Sequence, residues 1–409
     1  MTAAPLTSDS LADYLVRLGG ALLKYGVPTH RLEALLTELA HREGFTAHVF
    51  SVPTGVFLSV GKDGGAPPVQ RMVRVGEWTT NLDRLAAVDR IAFDAVERKL
   101  TIHEARAHLD ALEARAAPWP AWAMWVAPGI ATGAAAVFFA GNLTEVAVAV
   151  VLGLLLGAIT AALRANPSLR VLENFFGGMI ISTCAAAATR LAPSLSREVL
   201  VLSGIIVLVP GMTLTTGMNE LTHRNLVSGT ARLMDAVITL VSLVLGLAVV
   251  FGLEQQVLAP VAAAEPHEGL GLAVQLIAVL LAGVGFSIRL GVPRELILGA
   301  VVSCATAWVT TLVLAPRLPG AASALVGAFL VTALSNTMAR VVRRPSRVFL
   351  LPGLVLLVPG VFAFRSLDIL LRGDAAAGAA QVGTLLLTAG ALVTGLAVAN
   401  VAVPSGRAL

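Results

Sequence analysis

Charged residues are scarce in this chain. Asp, Glu, Lys and Arg make up 13% of its 409 residues, and hydrophobic residues make up 56%. Soluble domains contain about 25% charged residues. The composition therefore excludes a soluble globular protein and predicts a polytopic membrane protein. The formal net charge of +4 indicates no nucleic-acid partner, because loop arginines that face anionic lipid account for it.

Cysteine is nearly absent as well. Cys184 and Cys304 each lie inside an apolar run, and their spacing matches neither a metal site nor a disulfide framework. Both are predicted to be small buried side chains, and no cofactor or metal is expected.

The first residues, MTAAPLTSDS, lack both a basic segment and an apolar segment. A cleavable signal peptide is therefore not expected, and the soluble part should stay in the cytosol.

Residues 1–117 carry ordinary charge and predict a small cytosolic α+β domain. Leucines at helical spacing indicate helices over Ser8–Tyr25 and His30–Glu43. Segments rich in β-branched residues then indicate a small antiparallel meander, and two more helices follow it. The predicted strands and later helices are Thr46–Val52, Gly55–Val60, Val69–Val75, Leu82–Lys99 and His103–Arg115.

The polar residues of this predicted domain have two interpretations. A solvated helix face explains them without any chemistry, because isolated polar residues on amphipathic helices usually face water. The alternative is that the domain is a hydrolase or a ligand sensor. The pairs that would carry that alternative are His30 with Glu33 and His103 with Glu104. Pro53-Thr54-Gly55, between the first two strands, is interpreted as a turn.

Ten apolar runs follow, each close to the roughly 17–25 residues that cross a bilayer. They predict an all-α membrane part in two five-helix halves, residues 118–254 and 255–409. The runs are Trp122–Ala140, Val146–Leu163, Phe175–Leu191, Val199–Thr216, Leu233–Leu253, Leu270–Ile288, Leu296–Leu314, Ala321–Ala339, Val348–Phe364 and Val382–Val401.

The arginines of the connecting loops predict the orientation. With the N-terminus inside, the inner loops carry more than twice as many arginines as the outer loops. The positive-inside rule then places both termini in the cytosol, in a multi-pass protein of the cytoplasmic membrane. One of the predicted inner loops is Gly217–Arg232. The sequence sets no oligomeric state and is compatible with a homo-oligomer.

A short internal repeat relates the two halves. Leu208-Val209-Pro210-Gly211 recurs as Leu357-Val358-Pro359-Gly360. Because each half contains an odd number of crossings, the halves run in opposite directions, which is the inverted-repeat plan of many secondary transporters. The pattern predicts two proline-broken helices that meet near the middle of the membrane. The alternative is that Pro-Gly merely kinks a helix for packing.

The stretch Val209–Asp235 is the most polar part of the predicted membrane region. It breaks an apolar run at Pro210-Gly211, and backbone groups freed inside a bilayer need partners from protein or from a water-filled cavity. We interpret the break as a substrate site whose helix ends and hydroxyls bind a small zwitterion. The candidate substrate-binding residues are Pro210, Gly211, Thr213, Thr215, Thr216, Pro359, Gly360 and Asn174.

Proton coupling requires a carboxylate that titrates in a partly dry place. Glu173, Glu220 and Asp235 are the candidates, and all three lie near the inner ends of predicted spans. Asn219 and Arg232, in the predicted inner loop, are candidates for gating. The simpler interpretation pairs each carboxylate with a nearby arginine. Those pairs would be Glu173 with Arg170, Glu220 with Arg224 and Asp235 with Arg232.

With these residues in view, the chain resembles the threonine/serine exporter (ThrE) family. The resemblance runs from about residue 11 to 240, and the second half is similar to the family's smaller C-terminal membrane module. Thr216, Asn219-Glu220 and Arg224-Asn225 depart from the family pattern. The matching motifs are Tyr25-Gly26-Val27-Pro28-Thr29-His30-Arg31-Leu32-Glu33, Pro53-Thr54-Gly55-Val56, Arg71-Met72-Val73-Arg74-Val75, Pro210-Gly211, Leu214-Thr215, Glu220, Ser228-Gly229-Thr230-Ala231-Arg232-Leu233 and Asp235.

The resemblance implies a transporter rather than an enzyme. It implies ten transmembrane helices, a cytosolic N-terminal domain, and export of small hydroxy amino acids driven by the proton motive force. The partners are then a small-molecule substrate, protons and the lipid bilayer. Relatives that split the two modules into separate chains imply a dicarboxylate such as succinate as the alternative substrate. A channel is disfavoured, because inverted halves with broken helices suit alternating access better.

Overall fold

The computed structural model describes residues 6–76, 79–257, 268–357, 369 and 374–405. The chain begins with a small α+β unit, which we call the N-terminal unit (residues 6–113). Polar side chains cap the N-termini of three of its helices. Thr7, Asn81 and Thr101 each accept a hydrogen bond from a backbone amide of the helix that follows. The elements are Ser8–Lys24 (α1), Thr29–Arg42 (α2), Thr46–Val52 (β1), Gly55–Gly61 (β2), Val69–Arg74 (β3), Leu82–Val96 (α3) and Ile102–Glu113 (α4).

The three strands form the predicted antiparallel meander in the order β1-β2-β3. The leucines of α1 are fully buried against the sheet, so the predicted apolar stripe is the core-facing side of this helix. The same buried cluster continues into the membrane part through Val292, Val348 and Phe349. The N-terminal unit is therefore packed directly onto the ends of membrane helices.

Seven helices in the described chain are long and apolar enough to cross a membrane. The helices of the membrane part are Ala121–Phe138 (α5), Leu143–Ala165 (α6), Pro167–Arg170 (α7), Glu173–Leu191 (α8), Arg197–Ile205 (α9), Gly211–Thr222 (α10), Leu226–Val257 (α11), Leu272–Arg289 (α12), Ile297–Leu314 (α13), Gly320–Val342 (α14), Arg347–Leu357 (α15) and Ala375–Ala402 (α16). The seven long apolar helices are α5, α6, α11, α12, α13, α14 and α16.

The other three predicted spans have different forms. The third is α8, a helix of 19 residues that begins with the charged residue Glu173. The fourth is divided between α9 and α10, with the break at the predicted Pro210-Gly211. The ninth is α15, which is described only up to Leu357, so Pro359 and Gly360 lie outside the described residues.

The predicted inner loop over Gly217–Arg232 is wrong. Helix α10 continues to Thr222, and α11 begins at Leu226 after a turn of three residues. Two glycines allow the two helices to pack closely, because a Cβ on Gly229 would lie 2.9 Å from the carbonyl oxygen of Gly217. The polar residues of this stretch are therefore on the facing helices of a tight hairpin.

A second pair of glycines sets the distance between α8 and α11. A Cβ on Gly246 would lie 2.0 Å from the carbonyl oxygen of Phe175, and one on Gly178 would lie 2.2 Å from that of Leu243. Small residues permit this close backbone approach of membrane helices. The contact matters for the site because α8 carries Glu173 and α11 carries Asp235.

Candidate functional site

A cavity of about 810 Å³ lies between the N-terminal unit and the membrane helices. We call it the junction cavity. The N-terminal unit contributes the β1–β2 turn at Pro53 and Thr54, and the segment with Gly76, Thr79 and Thr80. The membrane part contributes the break between α9 and α10 and portions of α5, α8, α11 and α12. The charged lining residues are Arg164, Arg170, Glu173, Arg232, Asp235 and Arg289.

The break that lines this cavity follows from the chemistry of proline. Pro210 has no backbone N–H, so the carbonyl of Ile206 loses the donor that a continuous helix would supply. The amide of Gly211 donates to the carbonyl of Val209 at 2.8 Å, so the carbonyl of Val207 also loses its helical partner. Ile206 and Val207 both line the cavity. The helix break therefore leaves carbonyls without helical partners in two residues that line the cavity.

Arg164 and Glu173 form a two-pronged ion pair at one side of the cavity. The Nε of Arg164 donates to Oε2 of Glu173 at 2.8 Å, and a terminal nitrogen of the same guanidinium lies 2.8 Å from Oε1. Arg289, the last residue of α12, interacts electrostatically with both members of this pair. Three charges from three helices thus meet at this wall.

A buried ion pair lies at the other side. The Nε of Arg232 donates to Oε2 of Glu220 at 3.0 Å, and these side chains are only 3% and 0% exposed. Asp235 lies one turn further along α11 and is open to the cavity. Among the residues that the structure describes, neither Asp235 nor Arg289 has a hydrogen bond or an ion pair from its side chain. In the described part of the cavity wall, one carboxylate and one guanidinium thus form neither a hydrogen bond nor an ion pair.

The buried pair also fastens the N-terminal unit to the membrane part. The other oxygen of Glu220 accepts a hydrogen bond from the backbone amide of Thr29, in the first turn of α2, at 3.3 Å. Next to it, the rings of His30 and His223 are stacked, with centroids 4.2 Å apart and planes 4° apart. Arg347 donates to the carbonyl of Gly26 in the turn before α2. We call this set of contacts the α2 joint.

The α2 joint perturbs the titration of His30. Burial, followed by the neighbouring His223, Arg31 and Arg347, lowers the pKa of His30 from 6.5 to about 3. Burial also lowers the pKa of Arg31. His30 is therefore neutral at physiological pH as long as the joint is assembled.

The structure places the predicted site residues in three groups. Glu173, Pro210, Gly211, Arg232 and Asp235 line the junction cavity. Glu220 lies behind the wall in the α2 joint. The remaining predicted residues in the described chain are outside the cavity lining, and their roles stay predictions: Asn174, Thr213, Thr215, Thr216 and Asn219. The hydroxyl of Thr215 donates to the carbonyl of Gly211 at 3.0 Å, one turn back on its own helix.

Two of the predicted ion pairs have different partners. Glu173, at the start of α8, pairs with Arg164 near the end of α6 instead of with Arg170. Glu220 pairs with Arg232 instead of Arg224, because the α10–α11 hairpin brings residue 232 alongside. Arg224 is in the turn, in a left-handed conformation with φ of 62°.

Several lining residues were missed by the sequence analysis. Arg289 is one of the inner-loop arginines behind the predicted orientation, and its place at the end of an apolar run is a signal for a membrane-facing role. Pro53 and Thr54 do form the predicted turn between β1 and β2, but that turn also lines the cavity. Only the packing of the N-terminal unit onto the helices shows this.

The candidate hydrolase pairs have structural partners. The carboxylate of Glu33 accepts from the backbone amide and the hydroxyl of Ser51, at 2.7 and 2.9 Å, instead of contacting His30. Glu104 accepts from the amide and the hydroxyl of Thr101, and these bonds lower the pKa of its carboxyl. Across the described ranges, no group of three or more His, Cys, Asp or Glu side chains could hold a metal ion.

Comparison with known proteins identifies the family. The family described as "Putative threonine/serine exporter" matches residues 13–254, and "Threonine/Serine exporter, ThrE" matches residues 275–402. A "Probable threonine/serine exporter" of Mycobacterium tuberculosis is 28% identical over 244 residues, which are 59% of this chain and 46% of that protein. "Pheromone-regulated membrane protein 10" of Kluyveromyces lactis is 25% identical over 244 residues, 58% of this chain and 25% of that protein.

The matches have a limited extent. The chain spans less than half the length of these two relatives. No solved structure matches it. The first family match nevertheless covers more than half of the chain, including the helix break, the junction cavity residues of the first half and most of the N-terminal unit. This multi-pass membrane protein therefore belongs to the threonine/serine exporter (ThrE) family.

Proposed function

We propose that this protein exports threonine and serine across the cytoplasmic membrane by alternating access at the junction cavity. The proposal rests on which charged side chains of the cavity wall form ion pairs within the protein and which do not. Within the described chain, Arg289 and Asp235 are the two charged lining residues whose side chains form neither a hydrogen bond nor an ion pair. One cation and one anion complement the carboxylate and the ammonium of an α-amino acid.

The geometry suggests a role for each group. Arg289 binds the substrate carboxylate, because a guanidinium donates to both oxygens of a carboxylate at once. Asp235 binds the ammonium. The carbonyls released at Ile206 and Val207 accept hydrogen bonds from the ammonium or from the side-chain hydroxyl that threonine and serine share. Each substrate group then has a partner of opposite polarity inside the cavity.

Proton coupling is assigned to the two cavity carboxylates. Without a substrate ammonium beside it, Asp235 takes up a proton more readily. Substrate and proton then compete for Asp235, and this antagonism is what an exporter driven by the inward proton gradient requires. Glu173 is held by Arg164 and interacts with Arg289, so a substrate carboxylate at Arg289 competes with Glu173 for positive charge and favours protonation of Glu173 instead.

We extend the proposal to the whole membrane part. The repeated Pro-Gly at 210–211 and 359–360 supports two inverted five-helix halves that rock around the cavity, with ten crossings and both termini in the cytosol. The N-terminal unit then stands on the cytosolic side, where its β1–β2 turn narrows access to the cavity. The arginine distribution of the loops supports this orientation.

A dicarboxylate is the second candidate substrate. The cavity is lined by four arginines, Arg164, Arg170, Arg232 and Arg289, and by only two carboxylates. That excess of positive charge favours an anion such as succinate. The ion pairs of Arg164 and Arg232 neutralise two of the four, which is why we place the amino acid first.

A flux assay tests the proposal. The full chain is reconstituted into proteoliposomes, a pH gradient is imposed, and uptake of labelled threonine, serine and succinate is compared. We expect threonine and serine to accumulate against their gradients and a protonophore to abolish the accumulation. If only succinate accumulates, the protein is a dicarboxylate exporter instead. If the substrate concentrations only become equal on the two sides of the membrane, the protein is a channel.

A further inference from the structure

A second cavity, of about 550 Å³, lies apart from the junction cavity and shares none of its lining residues. One wall is α3 with the turn that follows it, and the other is the end of α14 with the turn after that helix. We call it the α3–α14 pocket. Its charged lining residues are Arg90, Asp94, Glu97, Lys99, Arg340, Arg343 and Arg344, five basic and two acidic.

The protein itself uses part of this positive charge. Lys99 forms an ion pair with Glu97, and a terminal nitrogen of Arg344 lies 3.8 Å from the carboxylate of Glu295. Arg340 donates from Nε to the carbonyl of Pro404 at 2.5 Å and so holds the end of the chain against α14. These three cations therefore have structural partners.

Arg90 and Arg343 are different. Both are exposed, and within the described parts of the chain neither guanidinium has an ion pair or a hydrogen bond. Arg343 follows α14 in a left-handed conformation, with φ of 55°, which is unfavourable for a residue that has a side chain. The two guanidinium groups belong to different parts of the fold and line one pocket, which suits a ligand with several anionic oxygens.

Apolar side chains adjoin these cations. Val341 and Val342, immediately before Arg343, are 79% and 44% exposed, and Val342 lines the pocket. They belong to α14, a helix that is long and apolar enough to cross the membrane. The pocket therefore lies at the end of a membrane helix, where cationic groups and bare apolar surface occur together. A soluble anion would use only the cations, whereas a phospholipid uses both features.

We propose that the α3–α14 pocket binds the phosphate of an anionic phospholipid. Arg90 and Arg343 donate to the phosphate oxygens, as guanidinium groups do at phosphate sites, and the acyl chains lie along Val341 and Val342. The lipid then bridges the N-terminal unit, through α3, and the second half of the membrane part, through α14. It stabilises the contact between them.

Lipid-dependent thermal unfolding of the full-length protein tests this. The protein is purified in a neutral detergent, and its unfolding midpoint is followed while phosphatidylglycerol, phosphatidylcholine or inorganic phosphate is added. We expect phosphatidylglycerol alone to raise the midpoint. Each of Arg90→Gln and Arg343→Gln should weaken the apparent affinity about five-fold, because a basic residue at an anionic membrane surface contributes about that factor. The double variant should have an apparent affinity for phosphatidylglycerol at least ten-fold lower than that of the wild type.

Matched variants distinguish lipid binding at the α3–α14 pocket from a general effect of removing positive charge. Arg317→Gln removes an arginine at the other end of α14 and should respond to phosphatidylglycerol like the wild type. Arg90→Lys/Arg343→Lys should keep part of the response. An undiminished response of both single variants would overturn the proposal. So would an equal response to phosphatidylcholine, or a response to inorganic phosphate as large as that to phosphatidylglycerol, which would make the pocket a free-anion site.

Discussion

Glu220 accepts a hydrogen bond from the backbone amide of Thr29 at 3.3 Å, although 191 residues separate them in the sequence. Thr29 begins α2 in the N-terminal unit, and Glu220 lies on the helix that follows the Pro210 break. The positive end of the α2 dipole thus meets a buried carboxylate. Because Arg232 binds the same carboxylate and lines the junction cavity, movement of the N-terminal unit is connected to the cavity wall.

Replacing Glu220 by Gln should loosen the α2 joint. The variant removes the carboxylate that pairs with the buried guanidinium of Arg232, and breaking a buried ion pair typically costs about 3–5 kcal/mol. We expect at least ten-fold faster hydrogen exchange over residues 27–32, measured by mass spectrometry in detergent. Glu38→Gln, which removes an exposed pair with Arg42 on the same α2, is the control and should leave exchange unchanged. Wild-type exchange in Glu220→Gln would contradict the assignment.

Acidification should open the same joint through His30. The pKa of His30 is lowered from 6.5 to about 3 by burial and then by His223, Arg31 and Arg347. The assembled joint therefore binds fewer protons than the separated parts between these values, so its stability falls as pH drops below 6.5. The expected loss is about 1.4 kcal/mol per pH unit. Glu220 and Arg232 also face this region, where they form a buried ion pair with each other.

Hydrogen exchange of α2 at pH 7.5 and pH 5, corrected for intrinsic rates, measures this effect. His30→Phe keeps a flat ring against His223 but cannot gain a proton, so its protection should be the same at both pH values. His41→Phe, an exposed position on the same helix, should keep the wild-type pH dependence. Equal pH dependence in His30→Phe and the wild type would show that another group controls the joint.

Removing the guanidinium of Arg289 should weaken substrate binding. A hydrogen bond to a charged group contributes about 1.5–3 kcal/mol, so Arg289→Gln should raise the KM for threonine by about ten- to hundred-fold. Arg289→Lys keeps the charge without the two-pronged geometry and should lie in between. Arg317→Gln, outside the cavity, serves as the control in the proteoliposome assay. An unchanged KM in Arg289→Gln would remove this residue from the substrate site.

The two cavity carboxylates can be distinguished by their neutral variants. Asp235→Asn should abolish threonine accumulation driven by a pH gradient and impair exchange of threonine across the membrane, because it removes the carboxylate for which the proton and the substrate ammonium are proposed to compete. Glu173→Gln leaves Asp235 and Arg289 in place and should retain both measurements. Full pH-driven accumulation in Asp235→Asn would show that protons are carried elsewhere.

A methyl group at Gly246 should separate the helices that carry these carboxylates. The added Cβ would lie 2.0 Å from the carbonyl oxygen of Phe175, which only a shift of α8 away from α11 can relieve. We expect Gly246→Ala to lower the unfolding midpoint and the transport rate. Gly252→Ala, on the same α11 but with no atom within 4 Å, should behave like the wild type. Similar midpoints for the two variants would contradict the close contact.

Local patterns in the sequence were sufficient for much of the fold. Leucines at helical spacing predicted α1 and α2, and segments rich in β-branched residues predicted the three strands. The spacing of apolar residues is sufficient here because it depends only on which side of a helix or strand is buried. Pro210-Gly211 predicted the helix break, since proline lacks the N–H for a helical hydrogen bond, although Pro128 and Pro352 remain inside α5 and α15. Length and hydropathy likewise marked the apolar helices that are long enough to cross a membrane.

The site was decided by tertiary packing. Residues 217–232 carry charges that predict a solvated loop, but two glycines let α10 and α11 form a tight hairpin in which Glu220 and Arg232 neutralise each other. The sequence by itself determined which charged residues lie near the helix break. Which of them are paired, and which remain free to bind a substrate, depends on how separate elements pack together, as in the contact of Thr29 with Glu220, and a one-dimensional pattern contains no information on such distances.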